Sequence, residues 1–86
     1  MKEVKMFMME TCPHCRKALS LMEEICAEHP EYKTVEIKMT DETKEPEYAG
    51  KFDYYYVPTY FVGEAKIHEG VPSREAIEKV YEEAVK

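Results

Sequence analysis

Cys12-Pro13-His14-Cys15 sets two thiols one helical turn apart, and two sulfurs at that spacing can exchange a disulfide with a third. Residues i and i+3 of a helical turn lie about 5–6 Å apart, within the range of about 4.4–6.8 Å that a disulfide tolerates between Cα atoms. Pro13 suits the first helical position, where its missing N–H would have had no partner anyway. That makes Cys12 the N-cap, its sulfur facing the free N–H groups of the first turn. Those donors and the positive end of the helix favour a thiolate at Cys12, the predicted nucleophile. Cys15, one turn inside and more shielded, is the predicted resolving thiol. His14, Arg16 and Lys17 add positive charge around Cys12, and Glu10 opposes them. Three cations and the dipole outweigh one carboxylate, so Pro13 and His14 are read as tuning the thiol pair. The plainer alternative for His14 is a solvated loop residue.

The flanking elements must position this pair. The apolar-rich run before it predicts a strand over about Lys2 to Met8, and apolar residues at helical spacing predict a helix over Pro13 to Glu28, closed by Pro30. Val35, Ile37 and Met39 alternate with Thr34, Glu36 and Lys38, the period of a second strand. Asp41 to Glu45 reads as a polar connection, and Glu47 to Phe52 as a short helical turn weakened by Gly50. Tyr60 to Val62 predicts a third strand, Gly63-Glu64 a turn, and Ala65 to Glu69 its partner. After the loop of Gly70 and Pro72, Ser73 caps a last helix over Arg74 to Val85, which buries Ala76, Ile77, Val80, Ala84 and Tyr81. The order β-α-β-α-β-β-α predicts an α/β fold with helices on both faces of a four-stranded sheet.

Eighty-six residues, 44% of them hydrophobic, suffice for one modest core, so 1–86 is read as a single domain and as a monomer. No run approaches the roughly 18–20 apolar residues of a membrane span. The N-terminus lacks the basic, apolar and small-residue sequence of a secretory signal, and Glu3 and Lys5 interrupt it, so a cytoplasmic location is expected, with no membrane partner. A net charge of −6 argues against nucleic acid as a partner.

Three cysteines are too few, and odd in number, for a disulfide scaffold. Cys26 recurs with Cys15, Leu19 and Met22 along one apolar stripe, which reads as core. A rival reading takes Cys12, Cys15, Cys26 and His29 as four zinc ligands. On one continuous helix, however, the eleven residues between Cys15 and Cys26 span roughly 16 Å, too far for one ion. No metal, nucleotide or flavin motif is present, and no cofactor is expected.

Two segments carry a family resemblance. Met6 to Cys15 resembles the strand and redox loop of the thioredoxin-like superfamily. Pro46 to Thr59, with Glu47, Ala49, Lys51, Phe52 and then Val57-Pro58-Thr59, resembles its second helix and proline loop. A lone Cys-x-x-Cys is a weak signal; followed by Val-Pro-Thr, a strand pair and a helix, it is a strong one. The chain is in the size class of glutaredoxins, and the resemblance spans nearly all of it. It implies a thioredoxin fold, a four-stranded mixed sheet flanked by three helices. It implies a cis peptide before Pro58, with Val57, Pro58 and Thr59 beside the cysteines to receive an extended substrate segment.

The departures bear on mechanism. Thioredoxins carry a buried acid where this chain has Met6, and their flanking tryptophan is absent. Glutaredoxins have a basic residue where this chain has Met9, and a Gly-Gly pair where it has Gly70-Val71. Cys-Pro-His-Cys itself resembles the loop of periplasmic dithiol oxidants, without their helical insertion. The resemblance therefore implies a thiol–disulfide oxidoreductase of protein disulfides. Its external reductant would be a thioredoxin-reductase-type flavoenzyme or glutathione, and the alternative is a glutathione-dependent glutaredoxin. A non-catalytic interaction module is the least favoured reading, because both thiols and Pro58 are intact. Tyr54-Tyr55-Tyr56 offers an aromatic rim for substrate or, equally, edge-strand packing.

Overall fold

A strand that is buried on both faces must carry apolar side chains on both, and β1 (Val4–Met8) does so. In the computed structural model, which describes residues 2–86, Val4, Met6 and Phe7 are fully buried. Val4 and Met6 join one core with Ala18, Ile25, Ile77 and Val80. Phe7 points the other way, into a second core with Ala49 and Phe61.

Helix α1 (Pro13–Glu28) carries the chain over to β2 (Ile37–Asp41), which pairs with β1 in parallel. After α2 (Pro46–Ala49), β3 (Thr59–Val62) pairs with β1 on its other side, antiparallel. β4 (Ala65–Glu69) is the far edge, antiparallel to β3 with a bulge between Tyr60 and Phe61. Gly63, at φ 60°, turns the β3–β4 hairpin in the left-handed region that glycine enters readily. Helix α3 (Arg74–Val85) closes the chain. The sheet order is β2-β1-β3-β4, the mixed four-stranded thioredoxin fold expected from the sequence. α1 and α3 cover the face of Val4 and Met6, and α2 lies over Phe7. Arg74 ties α3 to α1 through Glu28 at 2.7 Å, and the Lys2 N–H donates to the Ala84 carbonyl at 2.8 Å.

Both long helices have their predicted bounds; several other elements are displaced. β1 begins at Val4 rather than Lys2. Pro30 to Thr34 form a 3-10 turn, so the second strand starts at Ile37, later than the alternation from Val35 suggested. Met39 stands at the sheet's outer edge, 52% exposed, while Thr40 behind it is buried. The second helix is shorter and earlier than Glu47 to Phe52: the Gly50 N–H closes it on the Pro46 carbonyl, and beyond Gly50 only turn bonds remain, Lys51 N–H to Tyr48 and Phe52 N–H to Ala49. α1 buries Cys15, Ala18, Met22 and Ile25, with Leu19 and Cys26 half-buried at the stripe's margin. Ala76 is likewise half-buried. No helix among the described residues is long and apolar enough to cross a membrane.

Candidate active site

β1 runs out at Met8, and the chain turns sharply into α1. The Cys12 N–H closes that turn on the Met9 carbonyl at 3.1 Å. Cys12 is the N-cap, with φ −83° and ψ 119°, and Pro13 opens the helix as its fixed φ favours. The Cys12 carbonyl accepts from the N–H groups of Cys15 and Arg16, each at 3.1 Å. The expected contact of the Cys12 sulfur with the first-turn N–H groups is not a formed hydrogen bond. The thiol sits half-exposed at the positive end of the helix.

Cys15 is different in kind. It is 1% exposed, and its sulfur accepts from the Met9 N–H at 3.5 Å. Burial pushes its thiol up to about 11, against the pull of the Met9 N–H, and negative charge at Cys12 and Glu42 adds to the rise. All three cysteines are free thiols. His14 is exposed beside them. Glu10, the carboxylate expected to oppose the thiolate, is paired with Lys44 at 2.6 Å, which offsets its charge.

Pro58 comes to the same end of the sheet. Phe7 registers with Thr59, so the next step along both strands sets Pro58 level with Met8, just before the Met9–Cys12 turn. The Val57–Pro58 peptide is cis, and Pro58 and Thr59 are fully buried. The Thr59 hydroxyl donates to the Tyr56 carbonyl, and the Pro58 carbonyl accepts from the Gly70 N–H at 3.0 Å. Gly70 takes φ 96° there, a conformation that disfavours any side chain. Among the described residues neither the N–H nor the C=O of Val57 enters a hydrogen bond. The tyrosine run divides. Tyr54 stacks on Phe7 at 5.0 Å and donates to Glu42 at 2.8 Å, whereas Tyr55 and Tyr56 are 84% and 69% exposed.

Sequence reasoning missed the part that three of these residues play in the structure. Met9, noted only for the cation it lacks, acts through a backbone N–H that any residue but proline would supply. Glu42 and Glu69 look like ordinary surface acids until the fold brings Tyr54 to one and the Tyr55 and Tyr56 amides to the other. The four supposed zinc ligands are not gathered: Cys15 and Cys26 lie on the one helix α1. Among the described residues no group of three or more His, Cys, Asp or Glu side chains stands close enough to hold a metal.

A Cys-x-x-Cys at the start of α1, a cis-proline loop at the same end of the sheet and the strand order β2-β1-β3-β4 together define a thioredoxin-fold protein. The family model for the thioredoxin domain matches residues 2–82, and the chain belongs to that family. It is 28% identical over 75 residues to a thioredoxin of Methanocaldococcus jannaschii, covering 87% of this chain and 86% of that one. Two solved structures share the fold. One, titled as the structure of a malarial protein, has a TM-score of 0.68 at 16% identity, over 96% of both chains. The other, thioredoxin O2 from Arabidopsis thaliana in its oxidised state, has a TM-score of 0.58 at 21% identity, over 98% of this chain and 75% of its own. Thioredoxin-like proteins are in general thiol–disulfide oxidoreductases that act on disulfide substrates with a reductant partner.

Proposed function

We propose that this protein reduces protein disulfides through a Cys12/Cys15 dithiol. The observation that carries the reading is the asymmetry of the two thiols: one half-exposed at a helix start, the other buried one turn on. The Cys12 thiolate attacks a substrate sulfur, the substrate S–S bond breaks, and a mixed disulfide forms as one substrate thiolate leaves. Met6, fully buried, offers no carboxylate, so the departing thiolate takes the Cys15 proton. Cys15 then attacks the Cys12 sulfur and releases the second substrate thiolate, which takes from water the proton that Cys12 gave up on ionising. Two electrons and two protons have passed to the substrate, and the enzyme holds a Cys12–Cys15 disulfide that an external reductant must reopen.

In this reading the tuning residues are Pro13, which starts the helix at whose positive end the Cys12 sulfur sits, and His14, exposed beside it. The unpaired N–H and C=O of Val57 fit an extended substrate segment adding as a strand, with Pro58 and Thr59 holding that edge. Single substitutions test the assignment. Cys12→Ser abolishes reduction of a protein disulfide, whereas Cys15→Ser accumulates a covalent complex that dithiothreitol dissolves. Mixed disulfides accumulating in Cys12→Ser instead would reverse the roles.

The flavoenzyme is favoured as donor over glutathione. Met9 supplies no cation for a glutathione carboxylate, and at the start of α3 the Ala76 N–H is already held by the Ser73 hydroxyl at 3.2 Å.

A further inference from the structure

The strand edge proposed to receive substrate is held by side chains from outside its own loop. Glu69, the last residue of β4, sends its carboxylate back across the sheet end. Oε2 accepts from the Tyr55 N–H and from the Tyr56 N–H, the latter at 2.9 Å. Oε1 takes the Lys66 ammonium at 2.7 Å, and Lys66 also donates to the Asp53 carbonyl at 3.2 Å. One carboxylate and one ammonium thus tie down the backbone at positions 53, 55 and 56, the stretch that leads into Val57–Pro58. The neighbouring residue completes the tie, since the Gly70 N–H holds the Pro58 carbonyl. Between them the N–H and C=O of Val57 are left unpaired among the described residues.

This is not an ordinary surface ion pair. Exposed pairs contribute little because water screens them, but the Glu69 side chain is only 19% exposed, and two of its partners are backbone amides in charge-assisted bonds. Lys66 first, then the Tyr55 and Tyr56 N–H groups, hold its carboxyl down at about 2. Nothing in the thiol chemistry uses the residue, and it is the side chain that holds the N–H groups of the two exposed tyrosines.

We propose that Glu69 is a positioning residue for protein substrates, whose carboxylate clamps the Tyr55–Tyr56 backbone so that the Val57 edge is preset to pair with an extended segment. The proposal rests on the reading of Val57 as that edge. It separates two substrate classes. A polypeptide disulfide needs the edge; a small disulfide needs only Cys12.

Two substrates, insulin and the small aromatic disulfide dithiobisnitrobenzoate, are compared on three variants. Glu69→Ala removes the three bonds that the carboxylate makes, to Lys66 and to the Tyr55 and Tyr56 N–H groups. Glu69→Gln removes the charge and keeps the shape, and it decides the matter if the alanine variant does not fold. Val57→Pro removes the N–H of the pairing edge and leaves the clamp. Both Glu69 variants should lower kcat/KM for insulin about tenfold or more relative to the small disulfide, the change lying in KM, as loss of charged hydrogen bonds implies. Amide exchange at Tyr55 and Tyr56 should quicken in step. Equal slowing of both substrates would overturn the clamp and leave Glu69 a role in the fold alone. Slow insulin reduction in Val57→Pro but not in the Glu69 variants would also overturn it, while the strand-pairing reading stands. Unchanged insulin reduction in Val57→Pro would remove that reading, and the clamp's purpose with it.

Discussion

The Met9 N–H donates to the Cys15 sulfur over 3.5 Å, so the peptide leaving β1 holds the thiol proposed to act second. The bond is weak by geometry and does not offset burial, which leaves Cys15 pushed up to about 11 from an ordinary 9.0. An acid raised on folding is protonated longer in the native state than in the unfolded chain. Stability from Cys15 is therefore complete below pH 9 and falls as pH rises toward 11. Thermal unfolding of the reduced protein should show that loss, and Cys15→Ala should flatten it. Brief iodoacetamide labelling at neutral pH should modify Cys12 and spare Cys15, as read by peptide mass. Equal labelling of the two would contradict the asymmetry on which the mechanism stands.

Cys26 has a partner the sequence did not reveal. Its Sγ lies 3.4 Å from the Tyr81 hydroxyl, joining α1 to α3, and Tyr81 stacks on Tyr32 at 5.1 Å. A serine there keeps a donor for that hydroxyl, so Cys26→Ser should cost less than about 1.5 kcal/mol, the scale of one net hydrogen bond. Denaturant unfolding would measure it. Turnover should be unchanged; abolished turnover in a folded variant would bring the third thiol into the mechanism.

The elements that were legible are those whose signal is local. Pro13 and the apolar stripe fix α1, and Ser73, whose hydroxyl caps the Ala76 N–H, fixes the start of α3. β2 was not legible to the residue. Its hydrophobic alternation includes Met39, which the fold leaves half exposed at an open edge, and misses Thr40, buried opposite Phe7. Burial on an edge strand depends on what lies beside it, and a local pattern does not carry that. The same division holds at the site. Cys12, Cys15 and Pro58 announce themselves by type and spacing, whereas Glu69 matters only because the hairpin returns it beneath a loop thirteen residues earlier.

Met6 marks the departure from the family's buried acid, and its surroundings explain why the acid cannot simply be put back. It is fully buried, level with Met39 and Tyr60 in the sheet and packed in the main apolar core. A carboxylate there would lose water with no partner supplied. Met6→Asp should destabilise the domain by about 3 kcal/mol or more. A variant that unfolds at the wild-type denaturant concentration would show that the site already admits water or a cation.

The choice of donor can be measured directly. Without a cation at Met9, and with Ser73 occupying a donor of α3, glutathione loses charged contacts of about 1–3 kcal/mol each, or one to three orders of magnitude in affinity. Coupled assays should show slow turnover with glutathione and its reductase, and faster turnover with a thioredoxin-reductase-type flavoenzyme. The reverse order would make this chain a glutaredoxin in function.

The bond from the Lys2 N–H to the Ala84 carbonyl has a practical reach. It brings the two ends of the described chain side by side, and β1 then runs its full length from there before it meets the cysteines. A purification handle, a surface tether or a fused protein joined at either end would leave from the blunt side of the molecule. The domain could also be spliced as an insert into a loop of another protein. The end that carries Cys12 and Pro58 would then face outward, like a tool held by the handle.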